Sequence, residues 1–202
     1  MTALAPFYPI VDSAAWVRRL VPTGVKLIQL RIKDGTADSI QREVRDAVAL
    51  CARHHVQLVV NDHWQIALAE GANFIHLGQG DLDGADLAAI RSKAVRLGIS
   101  THDHAELDRA LSLEPDYVAL GPIYPTTLKV MPWAPQGLAR IGEWKRLIGS
   151  RPLVAIGGIT LERGPGCLRA GADCVAVVSD VTRHPDPLAR TAAWIDTTRA
   201  GA

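Results

Sequence analysis

The chain has 202 residues, 48% of them apolar and 21% charged, enough for one well-buried core and too few for two comfortable domains. Lys plus Arg number 22 against 21 acidic residues, so a polyanion-binding surface is not indicated and nucleic acid is not an expected partner. Cys51, Cys167 and Cys174 are an odd set without CxxC spacing, which suits reduced core thiols better than a disulfide framework. The N-terminus has no basic region followed by an apolar run, and no apolar stretch nears eighteen residues, so a cytoplasmic protein without membrane contact is expected.

In chain order, short apolar or β-branched runs predict strands at Phe7 to Val11, Lys26 to Leu30, Gln57 to Val60, Phe74 to Leu77, Val95 to Ile99, Tyr117 to Leu120, Leu153 to Ile156 and Cys174 to Val178. A helix-sized interval follows each. After Asp38, read as a cap with Gln41 three residues on, Ile40, Val44, Ala47, Val48 and Cys51 share one helical face. Asp103 with Glu106 repeats that start signal.

Eight such units predict an α/β chain forming a single compact (β/α)8 TIM barrel over residues 1–202. A doubly wound open sheet is the rival, but GxGxxG is missing after the first strand. The stretch from Gly121 to Gly137 contains Pro122, Pro125, Pro132 and Pro135, is long for a strand-to-helix connection, and is read as a lid over the site.

Chemistry in this fold sits where the strands end. Alternation after the second strand sends Gln29, Arg31 and Lys33 to one side, where two cations would face an anion. The third and fourth strands end in Asn61-Asp62 and in His76-Leu77-Gly78-Gln79 followed by Asp81. Either Asp alone reads as a cap or turn residue; the pair at neighbouring strand ends suits one hard cation such as Mg²⁺, with water and phosphate oxygens completing its shell. The fifth strand leads to Ser100-Thr101-His102-Asp103-His104. The HxH pair is weighed as a zinc site and set aside for lack of further ligands, leaving His102 as a hydrogen-bonding neighbour of the site and His104 in the next helix. Lys129, on the proline-stiffened loop after the sixth strand, is placed to close over a phosphate. The seventh strand ends in Gly157-Gly158 and the eighth in Val178-Ser179, small residues past which backbone N–H groups converge on an oxyanion.

These motifs, Gln29 to Lys33, Asn61-Asp62, His76 to Gln79 with Asp81, Gly98 to Ser100, Gly121 to Lys129, Ile156 to Ile159 and Val177 to Ser179, lie in the order found in the thiamine-phosphate synthase family, which the chain resembles over essentially its whole length. The resemblance implies a transferase that joins 4-amino-2-methyl-5-hydroxymethylpyrimidine diphosphate to 4-methyl-5-(2-phosphooxyethyl)thiazole with release of diphosphate. It implies that Gln29, Leu30, Arg31, Ile32, Lys33, Asn61, Ser100 and Lys129 bind the pyrimidine diphosphate, with Arg31, Lys33 and Lys129 acting on the departing group. It further implies that Thr126, Thr127, Leu128, Gly158, Val178 and Ser179 receive the thiazole phosphate and that Asp62 and Asp81 hold Mg²⁺. The sequence departs from the family pattern at Leu128, where Thr is usual, at Gly80 beside Asp81, and at His63 beside Asp62. A thiazole tautomerase of similar fold lacks much of this diphosphate machinery, and a noncatalytic sensor of thiamine precursors would bind both substrates without turnover. Self-association through outer helices is a further possibility that the sequence leaves open.

Overall fold

The computed structural model describes residues 4–126 and 133–199. Its eight strands are β1 (Phe7–Val11), β2 (Leu27–Leu30), β3 (Gln57–Asn61), β4 (Phe74–Leu77), β5 (Arg96–Thr101), β6 (Tyr117–Leu120), β7 (Leu153–Ile156) and β8 (Cys174–Val177). All pair in parallel and in sequence order, and β1 pairs with β8, so the sheet closes. The expected (β/α)8 barrel is therefore the observed one. The predicted bounds are those observed at β1, β4, β6 and β7, and differ by one or two residues at the other four, as at β5, which starts at Arg96 and runs on through Ser100 and Thr101.

Strand alternation divides the core in two. Residues such as Leu30, Leu58, Ile75, Ile99 and Leu120 point outward and pack against the helices in one large cluster. Tyr8, Ile10, Leu27, Val59, Phe74, Tyr117, Val154 and Cys174 fill the barrel interior. The three cysteines are buried and free, as a reduced core requires.

Among the helices, α1 (Ala14–Leu20) and α2 (Ala37–Arg53) pack on the early strands, and α2 buries Ile40, Val44, Ala47 and Cys51 as its periodicity predicts, with Leu50 buried in addition and Val48 only half-buried at the edge of that face. Its cap is not Asp38. Thr36 is extended and its Oγ1 accepts from Ser39 N at 3.2 Å, which places Asp38 in the first turn beside the positive helix end and frees Gln41 to bond Glu70 at 2.6 Å. Next come α3 (Trp64–Ala69), α4 (Leu87–Ser92) and α5 (His104–Ser112); α5 starts as expected, with Asp103 accepting from Glu106 N at 2.9 Å.

Then follow α6 (Gly137–Ile148), α7 (Gly164–Arg169), α8 (Ser179–Thr182) and α9 (Pro187–Arg199). The last of these fixes the end of β8: Asp180 receives Arg190 through Nε and Nη2, both at 2.9 Å, and Trp194 Nε1 at 2.7 Å, while the Trp194 ring stacks on Phe7 at 5.3 Å. Ser179, one residue before Asp180, is thereby held by the far helix. No helix among the described residues is long and apolar enough to cross a membrane.

Candidate active site

The carboxyl ends of the strands surround a cavity of about 640 Å³. Its walls include Gln29, Arg31, Ile32 and Lys33 from the end of β2, Asn61 from β3, His76 from β4, and Ser100 with His102 from β5. Thr126, Gly157, Gly158, Val178 and Ser179 complete the opposite side. The two halves inferred from sequence, one cationic and one rich in small residues, thus face each other across one space.

Leu30 is the exception among the β2 residues. Its side chain is buried in the outer cluster, so whatever it offers a ligand must come from its backbone. Beyond Leu30 the chain leaves the strand, strict alternation lapses, and Ile32 reaches the cavity beside Arg31 and Lys33. Thr127, Leu128 and Lys129 lie outside the described residues.

Both ends of the β6–α6 connection are tied down. Ile123 N donates to Ile156 O at 2.9 Å and Tyr124 N to Gly157 O at 3.0 Å, while Gln136 N and Gly137 N return to Pro122 O and Ile123 O at 2.7 and 3.0 Å. Trp133 stacks on His102 with ring centroids 4.0 Å apart. The glycines at the end of β7 are required by this closeness: at Gly157 a Cβ would lie 2.7 Å from Pro122 Cα, and at Gly158, with φ +63°, it would overlap the Pro125 carbonyl.

Asp62 and Asp81 do not line the cavity wall, yet they meet each other at its side. Asp62 sits at φ 64°, a left-handed conformation that Asp tolerates, and caps no helix. Burial, and then the Asp81 carboxylate hydrogen-bonded to it, push the Asp62 carboxyl up to about 6; Arg31 and His63 pull weakly the other way. Asp81 also accepts from Gly78 N at 3.1 Å, so the turn role weighed from sequence is present as well. Two carboxylates pressed together with too little positive charge are a donor set that a hard divalent cation fits, with oxygen ligands from water and phosphate. Among the described residues no group of three or more His, Cys, Asp or Glu side chains gathers as a metal cluster. His102 and His104 diverge accordingly: His102 Nδ1 meets Glu106 at 2.7 Å inside, and His104 Nε2 meets Glu143 at 2.8 Å on the surface.

Sequence reasoning assigned no role to the floor of the cavity, formed by Tyr8, Tyr117 and His76, the last noted only within the strand-end motif His76 to Gln79. They are linked to each other and to Gln29 and Ser100 by hydrogen bonds of 2.7 to 3.2 Å. Burial, and then Arg31, hold His76 down to about 3, so the ring is neutral, while burial keeps both phenols protonated. Tyr8 also leads by alternation through Ile10 to Asp12 at the rim, a period-two signal that could have marked β1 as a contributor.

The chain matches the thiamine monophosphate synthase family over residues 7–181. It belongs to that family. A thiamine-phosphate synthase of Rhizobium etli is 60% identical over 195 residues, covering 96% of each chain. One from Cronobacter sakazakii is 49% identical, covering 89% of this chain and 85% of that one. Thiamine phosphate pyrophosphorylase from Pyrococcus furiosus shares the fold with a TM-score of 0.84 at 24% identity, covering 98% of this chain and 96% of the other. Membership in the thiamine monophosphate synthase family makes the chain a transferase, and the family match spans every strand of the barrel.

Proposed function

We propose that this chain condenses 4-amino-2-methyl-5-hydroxymethylpyrimidine diphosphate with 4-methyl-5-(2-phosphooxyethyl)thiazole, releasing diphosphate and forming thiamine phosphate, in a Mg²⁺-dependent reaction. The observation that carries this reading is the opposition of Arg31 and Lys33 to the Gly158 and Ser179 strand ends across one cavity, with a carboxylate pair beside Arg31. Two anionic groups, one on each substrate, suit that arrangement.

Arg31 and Lys33 would hold the diphosphate and stabilise the negative charge that grows on it as the carbon–oxygen bond breaks. Lys129, on the loop after β6, is assigned the same task. Asp62 and Asp81 would hold Mg²⁺, which when bound supplies Lewis-acid stabilisation of phosphate oxygens. Gln29, Asn61 and Ser100 would orient the pyrimidine ring by hydrogen bonds from the cavity wall, with Leu30 and Ile32 supplying backbone and apolar wall. Thr126, Thr127 and Leu128 with Gly158, Val178 and Ser179 would fix the thiazole phosphate so that its ring nitrogen approaches the carbon that loses diphosphate. Positioning then supplies much of the rate, since the nucleophile needs no deprotonation at that nitrogen. The loop after β6, tied down at both ends, would keep water from capturing the carbon centre.

The test is diphosphate release with both substrates, with and without Mg²⁺, following thiamine phosphate by mass. Metal-dependent product is expected; binding of both substrates without product would replace synthase by sensor.

A further inference from the structure

A file of side chains crosses the barrel interior from β2 to β5 by way of β1, β6 and β4. Gln29 Nε2 donates to Tyr8 Oη at 2.9 Å, Tyr8 Oη lies 3.2 Å from Tyr117 Oη, Tyr117 Oη lies 2.7 Å from His76 Nδ1, and His76 Nε2 lies 2.8 Å from Ser100 Oγ. Gly98 exists in this position to admit it, because a Cβ there would fall inside the Tyr117 ring.

With Gln29 Nε2 toward Tyr8, proton counting fixes the direction of every other bond in the file. Each hydroxyl has one proton to give, and a neutral imidazole has one N–H and one lone pair. Tyr8, accepting from Gln29, must send its proton to Tyr117. Tyr117 must then send its own to His76 Nδ1. The ring's proton is therefore on Nε2, it goes to Ser100, and the Ser100 proton is left to point at a ligand. With the amide in this orientation a charged ring does not fit, since its second N–H would leave the Tyr117 proton facing another donor, and in either orientation burial, and then Arg31, keep the ring neutral. Turning the Gln29 amide by 180° reverses all four bonds together and turns Ser100 from a donor to the cavity into an acceptor. With the ring neutral, any mixed arrangement leaves a buried donor or acceptor unpaired.

We propose that Tyr8, Tyr117 and His76 are positioning residues that couple the hydrogen-bond polarity of Gln29 to that of Ser100, so that the cavity shows a matched acceptor and donor to an amino-substituted nitrogen heteroaromatic ring. With Gln29 Nε2 committed to Tyr8, Gln29 Oε1 accepts from the ligand's amino group and Ser100 donates to a ligand acceptor. The three residues touch no reacting atom; they act through the two that contact the ring. The identity of that ring as the aminopyrimidine rests on the function proposed above, but the coupling does not.

Nitrogen-15 NMR of the His76 ring in the unliganded protein at pH 8 tests the coupling directly. The wild type is expected to show one neutral tautomer with the proton on Nε2. Gln29→Glu, a carboxylate that only accepts, should reverse the file and move that proton to Nδ1, although residues 29 and 76 are joined only through Tyr8 and Tyr117 in the file. Tyr117→Phe keeps the ring that fills the space beside Gly98 and cuts the file, so adding Gln29→Glu to it should leave the His76 ring unchanged. An unaltered tautomer in Gln29→Glu, or an equal response with and without the Tyr117 hydroxyl, overturns the proposal.

A kinetic arm reads its consequence. Ser100→Ala should lower kcat/KM for the pyrimidine diphosphate about tenfold or more in the wild type and about twofold or less in Tyr117→Phe, because the orientation it loses is already gone. Equal losses in the two backgrounds overturn the positioning role. A wild type that makes no thiamine phosphate refutes the proposed function alone, and the NMR arm still decides the coupling.

Discussion

Asp62→Asn is expected to make the metal-free protein more stable while removing its activity. The left-handed backbone at φ 64° suits Asn as well as Asp, so the substitution adds no strain. It replaces one member of a repelling carboxylate pair by an amide whose N–H groups can donate to Asp81. Raising a carboxyl from 3.8 to about 6 corresponds to a ceiling of about 3 kcal/mol at roughly 1.36 kcal/mol per pH decade. Because Asp62 is only half-buried, solvent screening reduces this to about 1 kcal/mol. For a chain of this size that is about 2–4 °C in Tm.

The pH window follows from the direction of the shift. The folded chain binds this proton more tightly than the unfolded chain does, so the wild type gains from protonation below about pH 4 and loses that gain as pH rises through about 6. The advantage of Asp62→Asn should therefore be full at pH 7.5 and absent near pH 4. Scanning calorimetry with chelator at the two pH values measures it, and saturating Mg²⁺ at pH 7.5 should raise the wild type and not the variant. Equal or lower stability of Asp62→Asn at pH 7.5, or a gap that persists at pH 4, would refute the account of an uncompensated pair.

Asp81→Ala should cost most of the turnover with the fold retained, since locally it loses only the bond from Gly78 N and the strained contact with the Asp62 carboxyl; near-normal Mg²⁺-dependent activity would remove Asp81 from the metal role. Gly158→Ala should destabilise the protein by about 1–3 kcal/mol through left-handed strain, and raise KM for the thiazole phosphate above that for the diphosphate, because the clash with Pro125 sits at that end of the cavity. Thermal melts and substrate-resolved kinetics separate the two effects. Thr101→Val is the contrasting case. Thr101 Oγ1 donates to Ala119 O and accepts Trp144 Nε1, both at 2.9 Å in the outer layer, so leaving that indole unpaired should cost about 1–3 kcal/mol in denaturant melts with KM values unchanged.

The alternation of apolar runs with amphipathic intervals was sufficient to define a closed barrel, because burying a parallel strand on both faces demands continuous Val, Ile and Leu and burying a helix demands a 3.6-residue stripe. The strand-end rule then sufficed to nominate Gln29, Arg31, Lys33, Asn61, Ser100, Gly158 and Ser179, all of which line one cavity. Other features depended on distances the sequence does not contain. The choice of Thr36 over Asp38 as cap turned on one residue's extended backbone, which local composition permits at either position. That Asp62 and Asp81 press together beside Arg31, and that Leu30 turns away while Ile32 turns in, depended on how the chain leaves two strands.

The interior file shows the division most clearly. In sequence Tyr8 and Tyr117 stand only as members of strand runs and His76 as part of a strand-end motif, and nothing in their spacing joins Tyr8 to Tyr117, 109 residues apart. Sequence determined only which residues of a strand share a face, such as Tyr8 with Ile10 and Tyr117 with Ala119, since side-chain period is a local property of a strand. Only closure of the sheet, which sets β1, β6 and β4 around one axis, decided that the polar ends of Tyr8, Tyr117 and His76 would meet and form a single chain of hydrogen bonds from Gln29 to Ser100.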